Sequence, residues 1–217
     1  LKDSGMETEP AKMMFSEIER IERLLKQLLM HSHPMPIKSQ SFNLHELLDT
    51  VLSFERSSHP GLRFTAYYDA SLPDIEADRD KLHQVFLNLV RNASEACPAD
   101  GRVRVLTRHC AHWELAGTNL DPTRRYILVS IEDEGPGIPE ELRKNIFKPL
   151  FSTKKQGTGL GLSISFRLVE SHSGQLRYQP SERSGACFQV ILPESQSEPL
   201  EENSPNFVYQ DLRKEIS

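Results

Sequence analysis

Two glycine-rich stretches carry the residue types best suited to chemistry in this chain of 217 residues. The first reads Asp-Glu-Gly-Pro-Gly-Ile-Pro over 133–139, and the second reads Gly-Thr-Gly-Leu-Gly-Leu over 157–162. A glycine lets the backbone adopt a positive φ and lets a ligand approach without meeting a Cβ atom. One such loop would be weak support for a site. Two loops, joined by a polar segment that contains Lys154, predict a nucleotide held between them.

A predicted helix over 79–97 supplies a second group of polar side chains. Its apolar residues fall at helical spacing, and Asn88 and Asn92 are four residues apart, so they share one face. Glu95 lies near the same face. Asparagine is a mediocre helix former, so two of them in mid-helix invite a functional reason. The alternative is that both simply face water.

Together these groups match the chemistry of ATP bound with Mg²⁺. The Asp133 carboxylate can accept the exocyclic amine of adenine, which selects adenine over guanine. Asparagine carbonyl oxygens are hard, neutral ligands that suit Mg²⁺. The second glycine-rich stretch begins a helix, whose free N–H groups and dipole can receive phosphate. Lys154 can reach the terminal phosphate.

The elements that must position these residues follow from hydrophobic patterning and capping signals. A strand over 126–131 delivers the chain into the first glycine-rich stretch, and a segment of mixed polarity over 146–156 is predicted to form a lid. Asn43 and Asp78 are predicted helix N-caps. The remaining predicted strands cover 62–68, 102–107, 175–179 and 186–192, with a short extended piece at 75–77; the remaining helices cover 43–55, 139–145 and 160–171. Residues 108–125 are predicted to form a long polar loop.

The two ends of the chain differ in composition from its middle. A long amphipathic helix is predicted over 10–31, with apolar residues spaced four and three apart in the pattern of a coiled coil. Its apolar stripe needs a partner helix. Residues 194–217 are acidic and weakly apolar, which is typical of a tail. We therefore divide the chain into a helical segment with its linker at 1–36, a nucleotide-binding domain at 37–193 and a tail at 194–217.

Charge and hydropathy argue against several classes of partner. The formal net charge is −5 and no basic stripe is present, so nucleic acid is not an expected partner. No apolar run approaches the roughly 20 residues that span a bilayer, so this segment is expected to lack membrane contact. Three scattered cysteines fit a reducing compartment, which favours the cytoplasm. The chain begins at Leu1 rather than Met, which suggests a piece of a longer protein.

Four stretches resemble, in order, the motifs of the catalytic ATP-binding domain of sensor histidine kinases, in the wider group with gyrase, Hsp90 and MutL. The resemblance covers about 42–193. Leu-Asn-Leu-Val-Arg-Asn-Ala at 87–93 resembles the asparagine box, and the stretch at 133–138 resembles the first glycine box. Ile-Phe-Lys-Pro-Leu-Phe at 146–151 is similar to the phenylalanine box, and 157–162 resembles the second glycine box.

This resemblance implies an α+β fold, a two-layer sandwich of a mixed sheet with about three helices on one face, preceded by a helix of a dimerisation hairpin. It implies that Asn92 ligates Mg²⁺ with support from Asn88, and that Lys154 and Thr158 meet the phosphates. Phe147 and Phe151 would anchor the lid, although plain core packing is an alternative for both. The nucleotide-binding residues that the resemblance implies are Asn88, Asn92, Glu95, Asp133, Gly135, Gly137, Ile138, Phe151, Thr153, Lys154, Gly157, Thr158, Gly159, Leu160, Gly161 and Leu162. Asn88, Asn92 and Lys154 form the implied catalytic set.

Further features resemble the nitrogen-regulation sensor kinases of the NtrB type. These are Tyr-Asp-Ala-Ser-Leu-Pro at 68–73, Val-Arg-Asn-Ala at 90–93, the long loop at 108–125 and His-Ser-Gly at 172–174. The implied partners are a response regulator, a second copy of the full-length protein and a regulatory protein acting on the kinase domain. Two features depart from the family. No box for the phosphorylated histidine is present, and Ala186 stands where relatives often carry Thr.

Three functions compete on this basis. The first is the ATP-binding part of a histidine protein kinase, which passes the γ-phosphate to a histidine outside this chain and then to a response regulator. The second is an ATPase of the gyrase or Hsp90 kind, but those relatives carry a glutamate base where this chain has Asn88. The third is an ATP-binding regulatory or docking module without turnover.

Overall fold

The computed structural model describes residues 36–154, 158–181 and 185–194. The helix predicted over 10–31, most of the linker after it, the tail from residue 195 and Gly157 of the second glycine-rich stretch lie outside the described residues. The strands are β1 (Gln40–Phe42), β2 (Arg63–Tyr67), β3 (Ile75–Ala77), β4 (Arg102–His109), β5 (Tyr126–Asp133), β6 (Gln175–Pro180) and β7 (Ala186–Pro193). The helices are α1 (Leu44–Ser58), α2 (Arg79–Ala96), α3 (Glu140–Arg143) and α4 (Gly161–Ser171).

Five strands form the main sheet in the order β2-β4-β5-β7-β6. The β2–β4 pair is parallel and the other three pairs are antiparallel, so the sheet is mixed, as predicted. A separate antiparallel ribbon joins β1 to β3. β1 was not predicted because Gln-Ser-Phe has no alternating pattern of its own. β1 is extended because it pairs with β3, a contact that its own sequence does not indicate.

One face of the sheet packs on the three longer helices, α1, α2 and α4. Alternate residues of β5, namely Ile127, Val129 and Ile131, point to this face and join the main hydrophobic core. The helix starts follow the predicted caps. The Asn43 side chain accepts from the His45 and Glu46 N–H groups at 3.0 and 3.3 Å, and Asp78 accepts from the Lys81 N–H at 3.2 Å.

The other face of the sheet is partly covered by the segment 110–125, which we call the strap. The strap corresponds to the polar loop that was predicted over 108–125. It differs in two ways: β4 extends to His109, and a single 3-10 turn forms at His112–Leu115. Leu115 of the strap joins Tyr126, Leu128 and Ile191 in a second, smaller core. The strap therefore helps to bury three residues of β5 and β7 that point away from the helices, namely Tyr126, Leu128 and Ile191.

The C-terminal end of α4 lies at Ser171, as predicted. The left-handed residue beyond it is Ser173, with φ of 56°, and not the glycine that follows. The Gly174 N–H closes the last turn on the Val169 carbonyl at 3.0 Å. A side chain at Gly174 would collide with the Ile191 carbonyl oxygen, so glycine is required there for close packing on β7 rather than for a positive φ.

Candidate nucleotide-binding site

Asp133 is the last residue of β5 and the most deeply buried acid of the first glycine-rich stretch, with 2% of its surface exposed. It continues the alternation of β5, so its side chain points to the helix side of the sheet. Oδ1 accepts the Gly135 N–H at 2.8 Å and the Ala186 N–H at 3.1 Å. Among the described residues, none donates to Oδ2. The carboxylate is thus fixed by one oxygen and open to a ligand at the other.

Burial raises the pKa of the Asp133 carboxyl above its ordinary value, because desolvation disfavours the charged form. The two backbone donors and the positive charge of Lys154 oppose that shift. A buried carboxylate of this kind, with one oxygen lacking a protein partner, favours a ligand that brings its own N–H donor.

Gly185 and Ala186 lie against Asp133, although neither was among the predicted nucleotide-binding residues. Gly185 has φ of 88°, and a Cβ atom there would lie 2.7 Å from Oδ1 of Asp133. It therefore allows the turn before β7 to pass close to the carboxylate, which brings the Ala186 N–H within reach. The only available signal was a glycine directly before a predicted strand. The substitution of Ala for the expected Thr leaves this backbone donor intact.

Helix α2 lies beside the first glycine-rich stretch. A Cβ atom at Gly135 would lie 2.7 Å from the Ala96 carbonyl oxygen, so the end of α2 and this loop are in direct contact. Gly137 packs in turn on the Gly185 carbonyl. Close approach at these glycines serves the packing of the protein on itself, in addition to any contact with a ligand.

The two asparagines of α2 have different surroundings. Asn88 donates from Nδ2 to Ser165 Oγ on α4 at 2.9 Å. The Asn92 side chain is half-buried and forms no hydrogen bond to any described residue. Asn92 thus has a free amide one helical turn before the contact of α2 with Gly135. This is the side chain that the sequence predicted as the Mg²⁺ ligand.

The lid segment is attached to the core by its aromatic residues. Phe147 packs on Phe166 and Phe188, with ring centroids 5.3 and 6.5 Å apart, and Phe151 is half-buried against the same core. Leu150 between them is 62% exposed and has φ of 64°. Core packing, the alternative reading of the two phenylalanines, accounts for their contacts here.

Lys154 at the end of the described lid forms an ion pair with Glu95 of α2. Both side chains are largely exposed, and the Lys154 charge also acts on Asp133. The pair therefore spans the space between α2 and the lid. Thr153 and Thr158 are exposed on either side of the undescribed residues 155–157.

The second glycine-rich stretch leads into α4. Leu160 is fully buried, and the backbone of Leu150 contacts Gly159 so closely that no side chain fits there. Among the described residues, no side chain caps the start of α4, so none of them accepts from its first N–H groups. Ile138 and Leu162 are half-buried against the main core. Except for Gly157, every residue that the sequence assigned to the nucleotide is described. These residues belong to α2, the end of β5 and the loop after it, the lid, or the second glycine-rich stretch and the start of α4.

His45, in the first turn of α1, lies away from the glycine-rich loops. Its ring stacks on Tyr68 at 4.5 Å and its Nε2 is 2.9 Å from Thr107 Oγ1. Thr107 is four residues along β4 from Val103, the partner of Asp133, which is about 13 Å along a strand. Burial lowers the pKa of His45. The imidazole is part of α1 packing and is not grouped with the glycine-rich loops.

Residues 77–196, a little over half of the chain, match the family described as "Histidine kinase-, DNA gyrase B-, and HSP90-like ATPase". The chain belongs to this family. The region begins at Ala77, at the end of β3, and therefore contains α2, the lid, α4 and both glycine-rich loops.

The sensory histidine kinase/phosphatase NtrB of Azospirillum brasilense is one of the curated relatives of this chain. It is 35% identical over 185 residues, which are 84% of this chain and 46% of that protein. The chain thus spans about half the length of such relatives. This similarity agrees with the predicted resemblance to kinases of the NtrB type.

Solved structures of histidine kinases share the fold. The catalytic domain of histidine kinase ThkA is 32% identical, with a TM-score of 0.62 over 72% of this chain and 96% of that one. ThkA in complex with the response regulator protein TrrA is 29% identical, with a TM-score of 0.65 over 90% of this chain and 53% of that one. The predicted α+β fold is confirmed. Within the described residues, no helix has the length and apolar character needed to cross a bilayer.

Proposed function

We propose that this chain is the ATP-binding catalytic part of a two-component sensor histidine kinase related to NtrB. It passes the γ-phosphate of ATP to a histidine of another segment, from which the phosphate moves to a response regulator. The observation that carries this proposal is the Asp133 carboxylate, held at Oδ1 by two backbone N–H groups and left without a described partner at Oδ2.

The pocket suits adenine at Asp133 and the phosphates at α4. Oδ2 accepts the exocyclic amine, while the carbonyl that guanine has at this position would face a carboxylate oxygen and be repelled. The start of α4 offers uncapped N–H groups to the phosphates. Thr158 lies three residues before that helix start, and Lys154 lies at the end of the described lid beside Glu95. Asn92 lies on α2, which also contacts the glycine loop beside Asp133.

The chain offers a fitting ligand for Mg²⁺ in the Asn92 amide, whose carbonyl oxygen has no described protein partner. Bound there, the ion would neutralise charge on the phosphates. The protein's own part is to hold adenine at Asp133, to direct the phosphates toward α4 and to keep the γ-phosphate accessible to an incoming imidazole. Catalysis of this kind rests on positioning and electrostatics.

Asn88 favours phosphate transfer to histidine over hydrolysis of ATP. An ATPase of the gyrase or Hsp90 type needs a general base at this place, and an amide cannot accept a proton at neutral pH. The Asn88 Nδ2 group also donates to Ser165, which fixes the side chain on α4. A histidine nucleophile needs less activation than water, so the absence of a base at Asn88 is compatible with transfer to histidine.

The partners follow from the same reasoning. A histidine kinase acts on a response regulator, and the related kinase ThkA has been solved in complex with one. A regulatory protein acting on the kinase domain, pairing of two full-length copies and a location in the cytoplasm belong to the same proposal. The alternative function, an ATP-binding docking module without turnover, is favoured by no specific contact.

The decisive test is calorimetric titration of this chain with ATP, ADP and GTP, each with and without Mg²⁺. We expect micromolar binding of the adenine nucleotides, tighter with Mg²⁺, and at least tenfold weaker binding of GTP. No binding of ATP at millimolar concentration would contradict the proposed site. Equal binding of ATP and GTP would contradict the role of Asp133.

A second experiment separates the kinase from the docking module. The chain is mixed with a separately produced helical hairpin of a histidine kinase of the NtrB type and with ATP labelled at the γ-phosphate. Label that is lost in acid but stable in base indicates phosphohistidine and supports the kinase. Nucleotide binding without any labelled hairpin would leave the docking module.

A further inference from the structure

Ser165 is a buried polar residue in the middle of α4 to which no site role is assigned. It is 1% exposed, and its Oγ accepts the Asn88 Nδ2 hydrogen at 2.9 Å. The bond joins α4, which begins at the second glycine-rich stretch, to α2, which carries Asn92. A buried hydroxyl on an otherwise apolar helix face needs such a partner, and here the partner is an asparagine of the candidate site.

Gly161 lies against the oxygen of the same Asn88 amide. It lies one turn before Ser165, so both residues face α2 from one side of α4. A Cβ atom at Gly161 would lie 3.0 Å from Cγ of Asn88 and would collide with its Oδ1. The carbonyl oxygen therefore lies against the first residue of α4, and the amide nitrogen lies against Ser165 one turn later.

We propose that Ser165 is a positioning residue that sets the orientation of the Asn88 amide, so that its oxygen rather than its nitrogen faces the start of α4. This inference rests on the proposed function, because it concerns the same nucleotide site. An oxygen at this place accepts from a water of a hydrated cation or contacts the cation itself. A nitrogen at this place would instead donate to a phosphate. In this orientation Asn88 can interact with the metal ion, and the phosphates are bound by the N–H groups of α4.

The proposal predicts a change in the metal dependence of binding. In Ser165→Ala the amide loses its acceptor and is free to turn its nitrogen toward the phosphates. We expect the ratio of ATP affinities with and without Mg²⁺ to fall about three- to tenfold, the usual effect of one hydrogen bond. The affinity measured in excess chelator should remain within about twofold of wild type.

Ser163→Ala is the matched control. Ser163 is also buried on α4, but its hydroxyl donates to the Leu160 carbonyl at 2.9 Å and has no described contact with Asn88. Its removal is expected to leave the metal ratio unchanged, whatever it does to stability. If the two variants lower the ratio equally, or if both affinities fall equally in Ser165→Ala, the role of Ser165 is structural and the proposal is overturned.

Two further measurements test the route through Asn88. Ser165→Ala added to Asn88→Ala should cause no further change in the ratio, since the group that Ser165 orients is already gone; an additive effect overturns the proposal. In ¹⁵N spectra, the Asn88 side-chain amide signal should shift in Ser165→Ala and remain in place in Ser163→Ala.

This inference and the proposed function fail in different ways. If the wild-type chain binds Mg-ATP and Ser165→Ala leaves the ratio unchanged, only the role of Ser165 is wrong. If the wild-type chain binds no adenine nucleotide, the proposed function is wrong and the role assigned to Ser165 at that site falls with it.

Discussion

The strap and the pocket each contain a buried carboxylate, and the two are treated in opposite ways. Glu114 of the strap has both oxygens bound by Arg108, at 2.6 and 2.8 Å, and one of them also accepts the Ala111 N–H at 3.0 Å. Asp133 of the pocket has two donors on one oxygen and none described on the other. Burial of an acid is costly unless its charge is matched.

The difference separates structure from function in this molecule. Glu114 is complete without a ligand, and its partners are the residues that fix the strap to the sheet, including Arg177 of β6. Asp133 and Asn92 are incomplete, and both lie by the glycine-rich loops. A polar group whose partners are all protein groups holds the fold, whereas one with an open position is available for binding.

Asp133→Asn is expected to have the largest effect on ATP affinity among the variants that test this difference. The amide can keep Oδ1 in place for both backbone donors, but it puts an N–H₂ group where Oδ2 accepted the adenine amine. We expect ATP affinity to fall about 100-fold, or roughly 2.7 kcal/mol. The midpoint of thermal unfolding should stay or rise, because a buried charge is removed. Calorimetric titration and thermal unfolding measure the two effects.

Asp100→Asn, at an exposed position in the turn before β4, is the control and should change neither quantity. The raised pKa of Asp133 adds a pH test. ATP affinity should fall as pH decreases through that raised value, before an ordinary aspartate would protonate, and Asp133→Asn should abolish this dependence. Loss of folding in Asp133→Asn would mean that the carboxylate is structural, like Glu114.

Glu114→Gln is expected to have the reverse outcome, with a loss of stability and unchanged binding. Gln cannot match the bidentate ion pair with Arg108, so the strap loses one of its attachments to the sheet, while the Arg177 bond to the Glu114 backbone carbonyl remains. We expect a fall of about 1–2 kcal/mol in the free energy of unfolding, measured by denaturant titration. ATP affinity should remain within about twofold of wild type.

The pH dependence of Glu114 has a defined sign. Hydrogen bonding to Arg108 lowers the pKa of Glu114 below its ordinary value. Its contribution to stability is therefore complete above the unfolded value of about 4.3 and is lost as pH falls through the lower folded value. The stability difference between wild type and Glu114→Gln should close over that acidic range. A difference that persists at the lowest pH would show that the ion pair is not its source.

The pocket was more predictable from the sequence than the strap, for a physical reason. Asp133, Asn88 and Asn92 belong to local patterns, a strand that ends in a glycine turn and two amides at helical spacing, so adjacent residues reveal them. Glu114 depends on Arg108 and Arg177, the second of which is 63 residues away. Such a pairing follows only from the packed sheet, and the strap was accordingly predicted only as a polar loop.

The same limit explains what was missed inside the pocket. Gly185, Ala186 and Ser165 act on Asp133 and Asn88 from distant parts of the chain, and none stands out in its own neighbourhood. Several of the predicted glycines also allow another part of the protein to approach closely, which their local sequence did not indicate. The roles assigned to the individual residues toward ATP and Mg²⁺ remain predictions.

Glu95→Gln has the smallest expected effect on ATP affinity. It breaks the ion pair between Glu95 and Lys154, whose groups are partly exposed and are paired with each other. Glu95 and Lys154 are both more than two-fifths exposed, so their ion pair adds little to stability. Lys154 cannot bind Glu95 and the terminal phosphate at full strength together. Freeing Lys154 should therefore raise ATP affinity about two- to threefold and leave ADP affinity unchanged, with the gain shrinking as salt is added. Glu76→Gln, an exposed acid of β3, controls for net charge. A fall in ATP affinity would instead assign Glu95 to the ligand, which would place it with Asp133 and Asn92 rather than with the paired groups of the strap.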